Sequence, residues 1–139
     1  MILLDTNVVS EPLRVTPDAR IPGWIDAQPI ETLYLSAITV AELRVGIARM
    51  PAGKKRDRLR ERIETQVLPR FFGRVLAFDL AATQSYAGPM TKARAGGVAI
   101  GNYDGCIAAI ALANGLTVAT RDTTPFKAAG VPVFNPWQS

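Results

Sequence analysis

Histidine is absent from the 139-residue sequence, and cysteine occurs once, as Cys106. Without histidine there can be no Ser-His or Cys-His nucleophile, no histidine acid/base pair of the metal-free ribonuclease kind, and no His/Cys zinc site. A lone cysteine cannot close an internal disulfide, so a reducing cytoplasm is the expected location. A Ser-Lys pair finds no support, because none of Ser10, Ser36 and Ser85 is followed three residues later by Lys. Phosphate-binding Gly-x-x-x-x-Gly-Lys loops and dinucleotide-binding Gly-x-Gly-x-x-Gly turns are also missing. The longest unbroken apolar run, Cys106 to Ala113, is far short of a membrane span. The opening Met1-Ile2-Leu3-Leu4-Asp5 carries no basic leader, so no secretory signal is expected. If the chain is an enzyme, carboxylates and a hard, oxygen-loving cation are the chemistry left to it.

What is present reads as one globular domain over residues 1–139, with 48% hydrophobic and 20% charged residues. The net charge of +4 points mildly to a polyanionic partner. Ten of the 16 basic residues fall between Arg44 and Arg74. The stretch Lys54-Lys55-Arg56-Asp57-Arg58-Leu59-Arg60-Glu61-Arg62 reads either as a solvated helix face with internal ion pairs or as a phosphate-contacting surface. Short apolar runs at Ile2–Leu4, Thr32–Leu35, Val75–Phe78, Thr117–Thr120 and Val131–Phe134 read as strands covered on both faces. Between them, Val40, Leu43, Ile47 and Met50 mark one helical stripe, and Leu59, Ile63 and Val67 another. Gly105 to Asn114 reads as a helix ending at a C′ glycine, Gly115. Gly88-Pro89 inside the pattern Leu80–Ala95 requires a kink or a split, and Gly96-Gly97 supplies a flexible connector. The alternation predicts an α/β fold with a mostly parallel central sheet and helices on both faces.

Four acids stand out, and each has a structural explanation. Asp5 precedes a helix start and could be its N-cap. Glu42 follows Thr39 by three, matching a capping box. Asp104 stands before the Gly105 helix as a further N-cap candidate, and Asp122 follows a strand where an Asx turn would use it. Together they gain a second meaning. Asp5 and Asp122 lie just past the carboxyl ends of strands, and Glu42 and Asp104 at starts of helices over the same edge, where open parallel sheets bind ligands. Four converging carboxylates would repel unless a divalent cation such as Mg²⁺ or Mn²⁺ sat among them. The matching chemistry is in-line displacement at phosphorus by metal-activated water.

At these residues the sequence resembles the PIN-domain toxins of bacterial toxin–antitoxin systems, the VapC group. Met1-Ile2-Leu3-Leu4-Asp5-Thr6-Asn7 resembles the family's opening motif, and Leu35-Ser36-Ala37-Ile38-Thr39-Val40-Ala41-Glu42-Leu43 its second. Asp104-Gly105-Cys106-Ile107-Ala108-Ala109 resembles the third, and Ala119-Thr120-Arg121-Asp122 the fourth. The closing Val133-Phe134-Asn135-Pro136-Trp137 resembles the C-terminus of the FitB-like branch. The resemblance implies an Mg²⁺- or Mn²⁺-dependent endoribonuclease, usually a homodimer, neutralised by a small cognate antitoxin through which the complex binds operator DNA. It implies that Asp5 and Asp104 are the main metal ligands, that Asp122 completes the acidic site, and that Glu42 holds or orients water. Thr6, Asn7 and Thr120 become hydrogen-bonding supports. Many family members carry Asn where Asp122 stands and Asp three residues later, a position held here by Pro125; the FitB-like branch has Asp at the earlier place. Pro89 also departs from the helix expected before Asp104.

Two other readings compete. An aspartyl-nucleophile phosphatase of the haloacid-dehalogenase type would use Asp5, but wants a second Asp two residues on, where Asn7 stands. A non-catalytic nucleic-acid- or antitoxin-binding domain would tolerate loss of the acids, yet all four are present.

Overall fold

The computed structural model describes residues 1–138. Five strands, β1 (Ile2–Leu4), β2 (Leu33–Ser36), β3 (Val75–Leu76), β4 (Thr117–Ala119) and β5 (Val133–Phe134), form one sheet in the order β3-β2-β1-β4-β5. Every pairing is parallel. Eight α-helices join them: α1 (Thr6–Ser10), α2 (Arg20–Ala27), α3 (Ala37–Ala48), α4 (Lys54–Arg62), α5 (Leu80–Gln84), α6 (Ala87–Ala95), α7 (Asn102–Asn114) and α8 (Thr123–Ala128).

The period-2 pleat explains why the strands read as continuous apolar runs. Leu4, Leu33, Leu35 and Ala119 point into one core, with Val8 and Val9 of α1, Ile21 of α2, and Leu43 and Ile47 of α3. Their strand neighbours Leu3 and Val118 point the other way, into a second core with Ala82 of α5, Ile107 and Ile110 of α7, and Phe126 of α8. Both faces are therefore covered, as the α/β reading requires. The C-terminal turn Pro136–Gln138 is tied to α2: Arg20 Nη1 donates to the Trp137 carbonyl at 2.6 Å, and Trp137 is buried in the first core.

Strand ends differ from the apolar runs where local bonds intervene. Thr32 ends a 3₁₀ turn, donating both its N–H and its hydroxyl to the Pro29 carbonyl, so β2 begins one residue later. Val131 gives its N–H to Phe126 at the end of α8, so β5 begins after Pro132. The Leu80–Ala95 pattern splits at Ser85-Tyr86, which places Pro89 in the first turn of α6, where its missing N–H costs nothing.

Gly115 closes α7 in the left-handed conformation, φ 66° and ψ 35°. A Cβ there would meet no atom within 4 Å, so the cost of a side chain is conformational alone. Gly115→Ala is expected to destabilise the fold by about 1 kcal/mol, read as a drop of roughly 2–4 °C in a thermal melt. An unchanged midpoint would mean the helix end relaxes into another cap.

Candidate functional site

The strand order reverses direction between β1 and β4, and such a switch point opens a crevice at the carboxyl edge of the sheet. Asp5 ends β1 there, with its N–H bonded to the Ala119 carbonyl of β4 at 3.0 Å. Its carboxylate is buried and held from both strands: Oδ1 accepts the Thr6 N–H at 2.8 Å, and Oδ2 accepts the Thr120 hydroxyl at 2.8 Å. Asn7 braces the same group, donating Nδ2–H to Asp5 Oδ2 at 3.5 Å and to Thr120 Oγ1 at 3.3 Å. Its Oδ1 accepts the Arg121 N–H at 3.3 Å. Asp5 thus caps α1 and is also the anchored centre of the crevice.

The other three acids make no side-chain cap bond. The N-cap of α3 is Ser36, whose Oγ accepts the Thr39 N–H at 3.0 Å, and Glu42 lies in the second turn beyond the reach of a capping box. Helix α7 begins at Asn102 behind the extended Gly101, so Asp104 is its third residue rather than the residue before it. Asp122 precedes α8 but gives its side chain to no cap bond; the turn is made by Thr120 Oγ1, which accepts the Asp122 N–H at 3.0 Å. Among the described residues the carboxylates of Asp104 and Asp122 receive no hydrogen bond. The cap explanations of Glu42 and Asp104 and the Asx-turn explanation of Asp122 therefore fail.

Glu42 reaches the crevice through hydroxyls. Thr6 Oγ1 donates to Glu42 Oε1 at 2.8 Å and lies 3.1 Å from Thr39 Oγ1, which is 3.2 Å from Ser36 Oγ. Each hydroxyl carries one proton. With that of Thr6 given to the carboxylate, Thr39 donates to Thr6 and Ser36 to Thr39, giving a directed chain that ends on Glu42. Ser36 and Thr39 are fully buried, and their part in the site was missed in the sequence, where Thr39 read as a cap. Their signal was two hydroxyls three residues apart across a strand–helix junction.

Electrostatics ties the acids together. Burial pushes the Asp5 carboxyl above its ordinary range, against the hydrogen bonds from Thr120 and Thr6, and the charges of Glu42 and Asp122 push it the same way. Asp104 is raised to about 6 by burial first, then by the charges of Asp5 and Asp122. Asp5 thus shares charge effects with each of the other three acids, and Asp104 also feels Asp122. Among the described residues, however, no three acid, Cys or His side chains converge closely enough to hold a metal ion by themselves. The donor set is oxygen only, and Mg²⁺ characteristically takes one or two carboxylates and keeps several waters. Asp5 and Asp104 are oxygen donors of that kind.

Residues 2–131 match the PIN domain. The chain belongs to the PIN-domain family. This PIN-domain chain is 62% identical to the plasmid stability protein StbB of Pseudomonas syringae, over the full length of both. It is 59% identical to the VapC ribonuclease Y4jK of Sinorhizobium fredii and 54% identical to toxin FitB of Neisseria gonorrhoeae, in each case covering 99% of both chains. The solved structure of FitAcB from N. gonorrhoeae superposes with a TM-score of 0.96 at 53% identity, covering the whole of both chains. FitAB bound to an IR36 DNA fragment gives a TM-score of 0.95 at 52% identity, covering 99% of this chain and 96% of that one. The family and FitB-like placement expected from the motifs hold. No helix among the described residues is long and apolar enough to cross a membrane.

Proposed function

We propose that this PIN-domain chain is the toxin of a toxin–antitoxin pair and an endoribonuclease dependent on Mg²⁺ or Mn²⁺. The observation that carries the reading is geometric: the Asp5 carboxylate is buried and anchored at the switch point of the sheet by Thr6 and Thr120, and Glu42 is tied to the same place through the Thr6 hydroxyl. Excess negative charge held in place by a rigid sheet edge is the electrostatic counterpart of a cation site. Relatives of the same length carry the names VapC ribonuclease and toxin FitB, which supports both parts of the proposal. The FitAB structure bound to a DNA fragment supports a complex that binds DNA; a cognate antitoxin as the partner, with operator DNA reached through it, belongs to the same reading. A homodimer is part of the same reading.

Asp5 and Asp104 would hold the cation, with Asp122 completing the site; bound there, it would supply charge stabilisation at the phosphate and an activated water. The protein's own part is placement. Thr6 N–H and the Thr120 hydroxyl fix both Asp5 oxygens, and Asn7 locks Thr120 to Asp5. The Ser36–Thr39–Thr6 chain aims Glu42 Oε1 and leaves its other oxygen free to take a proton or orient a water. An aspartyl-nucleophile phosphatase fits less well: a buried carboxylate with both oxygens held by donors is a positioned ligand rather than an available nucleophile.

Purified protein with millimolar Mg²⁺ should cut RNA internally, and excess chelator should stop it. Cleavage that persists in chelator would end the metal-dependent reading. A folded protein that cuts no RNA with either cation would leave the non-catalytic binding domain in its place.

A further inference from the structure

Thr120 braces Asp5, and Asp122 adds its charge to the crevice, but Arg121 between them has no part in the acid site. Its backbone is held there: the Arg121 N–H is bonded to Asn7 Oδ1 at 3.3 Å, and Asn7 in turn donates to Asp5 and Thr120. Its side chain is exposed. A guanidinium is always charged, so one placed among these acids would be expected to pair with one of them. Among the described residues Arg121 forms no ion pair; the three pairs present are Arg14–Glu11, Arg20–Asp18 and Arg44–Glu64. Asp18, the acid of this corner, gives both its oxygens to Arg20.

The C-terminal turn holds the guanidinium where it is. Arg121 Cζ lies 5.2 Å from the centroid of the Trp137 ring, within the distance at which the face of a Trp ring attracts a cation. That ring is a fixed shelf. Trp137 is buried, its N–H donates to Asn135 Oδ1 at 2.9 Å, and its carbonyl accepts from Arg20 Nη1. The stack satisfies the charge of Arg121 in part but none of its side-chain N–H donors, which find no protein acceptor among the described residues. The sheet order gives the position. β2, which leads into α3 and Glu42, lies on one side of β1, and β4 and β5, which lead to Arg121 and Trp137, lie on the other. Glu42 and Arg121 therefore flank Asp5 on opposite sides along the carboxyl edge.

We propose that Arg121 is a substrate-binding residue that takes a phosphate of single-stranded RNA on the flank of Asp5 opposite Glu42, with Trp137 holding its guanidinium ready. A planar fork of donors matches phosphate oxygens bidentately. A side chain already laid on a ring has less freedom to lose on binding. Held off the carboxylates, it leaves them to a cation. The proposal takes its polyanion from the ribonuclease reading, but it concerns binding and can be tested without cleavage.

The test is fluorescence anisotropy of a labelled single-stranded RNA oligonucleotide of mixed sequence, in chelator, with wild type, R121Q and R121K, across salt concentrations from about 50 to 200 mM. Losing one phosphate contact should flatten the salt slope of R121Q by about 0.7 and weaken binding roughly three- to tenfold. R121K keeps the charge without the fork, so it should hold the wild-type slope with an affinity between the other two. In single-turnover cleavage with Mg²⁺, R121Q should need more protein to reach half its maximal rate, with the maximal rate itself changed less. R121Q with wild-type affinity and slope would overturn the proposal, and a lower melting temperature beside them would make the stack a structural clasp. R121K no better than R121Q would overturn it too, because the loss would then not be one of charge. RNA that binds through Arg121 yet is never cut in Mg²⁺ would leave the contact standing and remove the ribonuclease reading. A wild type that binds no RNA in chelator or in Mg²⁺ would overturn both.

Discussion

Asp5→Asn and Asp104→Asn are each expected to lower Mg²⁺-dependent RNA cleavage by about 10²–10³-fold or more while leaving a folded protein. The size follows from the several kcal/mol of charge stabilisation that a bound cation supplies, at 1.36 kcal/mol per tenfold in rate. The two substitutions act differently. The Asp5 carboxylate accepts from Thr6, Thr120 and Asn7, and an amide in its place turns one oxygen into a donor facing the Thr120 hydroxyl. Asp5→Asn therefore disturbs the network as well as the charge. Asp104 receives no hydrogen bond, so Asp104→Asn removes charge and little else, and is the cleaner test. Its raised pKa adds a pH dependence. Cation binding requires the carboxylate, so cleavage at limiting Mg²⁺ should fall as pH drops through about 6. Full activity in either well-folded variant, measured by single-turnover cleavage of a labelled RNA, would sink the mechanism.

Much of this arrangement was legible in the sequence because it rests on short-range rules. Apolar runs bounded by turn residues located all five strands, with ends displaced by up to two residues, and Gly115 closed α7 as its left-handed role requires. Asp5 and Asp122 could be placed at the carboxyl edge because Asp5 follows β1 directly and Asp122 comes soon after β4. The helix starts were less legible. Gly101 opens α7 with backbone alone and advertises no cap, so the helix seemed to begin after Asp104. Ser36 caps α3 from the last position of β2, so Thr39-x-x-Glu42 imitated a capping box one turn too late. In both cases the sequence left the acid with two readings, and the structure removes the cap reading. The hydroxyl chain through Ser36 and Thr39 was beyond reach for another reason. Its members matter only once α1 and α3 pack together and bring Thr6 to Glu42, 36 residues away in the chain. The split of Leu80–Ala95 was foreseen from Gly88-Pro89, but the break falls before them because Pro is tolerated in a first turn.

Asp104→Asn should also make the cation-free protein more stable at neutral pH, by about 1 kcal/mol. The wild-type carboxyl is raised to about 6, above the value of about 4 expected in the unfolded chain. The native state therefore holds that proton more tightly than the unfolded state. The resulting stabilisation is complete below about pH 4 and is lost as pH rises through about 6. A shift of about two units corresponds to ~3 kcal/mol in full, but Asp104 is only half-buried, and solvent screening leaves roughly 1–2 kcal/mol. Against this, an amide in the first turn of α7 forgoes an acid–dipole attraction of about 0.3–1 kcal/mol. The net gain should appear as a melting temperature roughly 2–4 °C higher at pH 7–8 in chelator, and should vanish near pH 4, where the wild type is protonated. Mg²⁺ should reverse the order. At about a hundred times its dissociation constant a ligand of the native state adds ~2.7 kcal/mol, and the variant, missing one carboxylate, should gain less than the wild type. Melts of both proteins at two pH values, with chelator and with Mg²⁺, separate the two halves of the argument. A variant no more stable than wild type at pH 7 in chelator would remove the raised pKa. Equal Mg²⁺-induced shifts would remove Asp104 from the cation site, because a cation that binds both proteins alike has no contact with the group that distinguishes them.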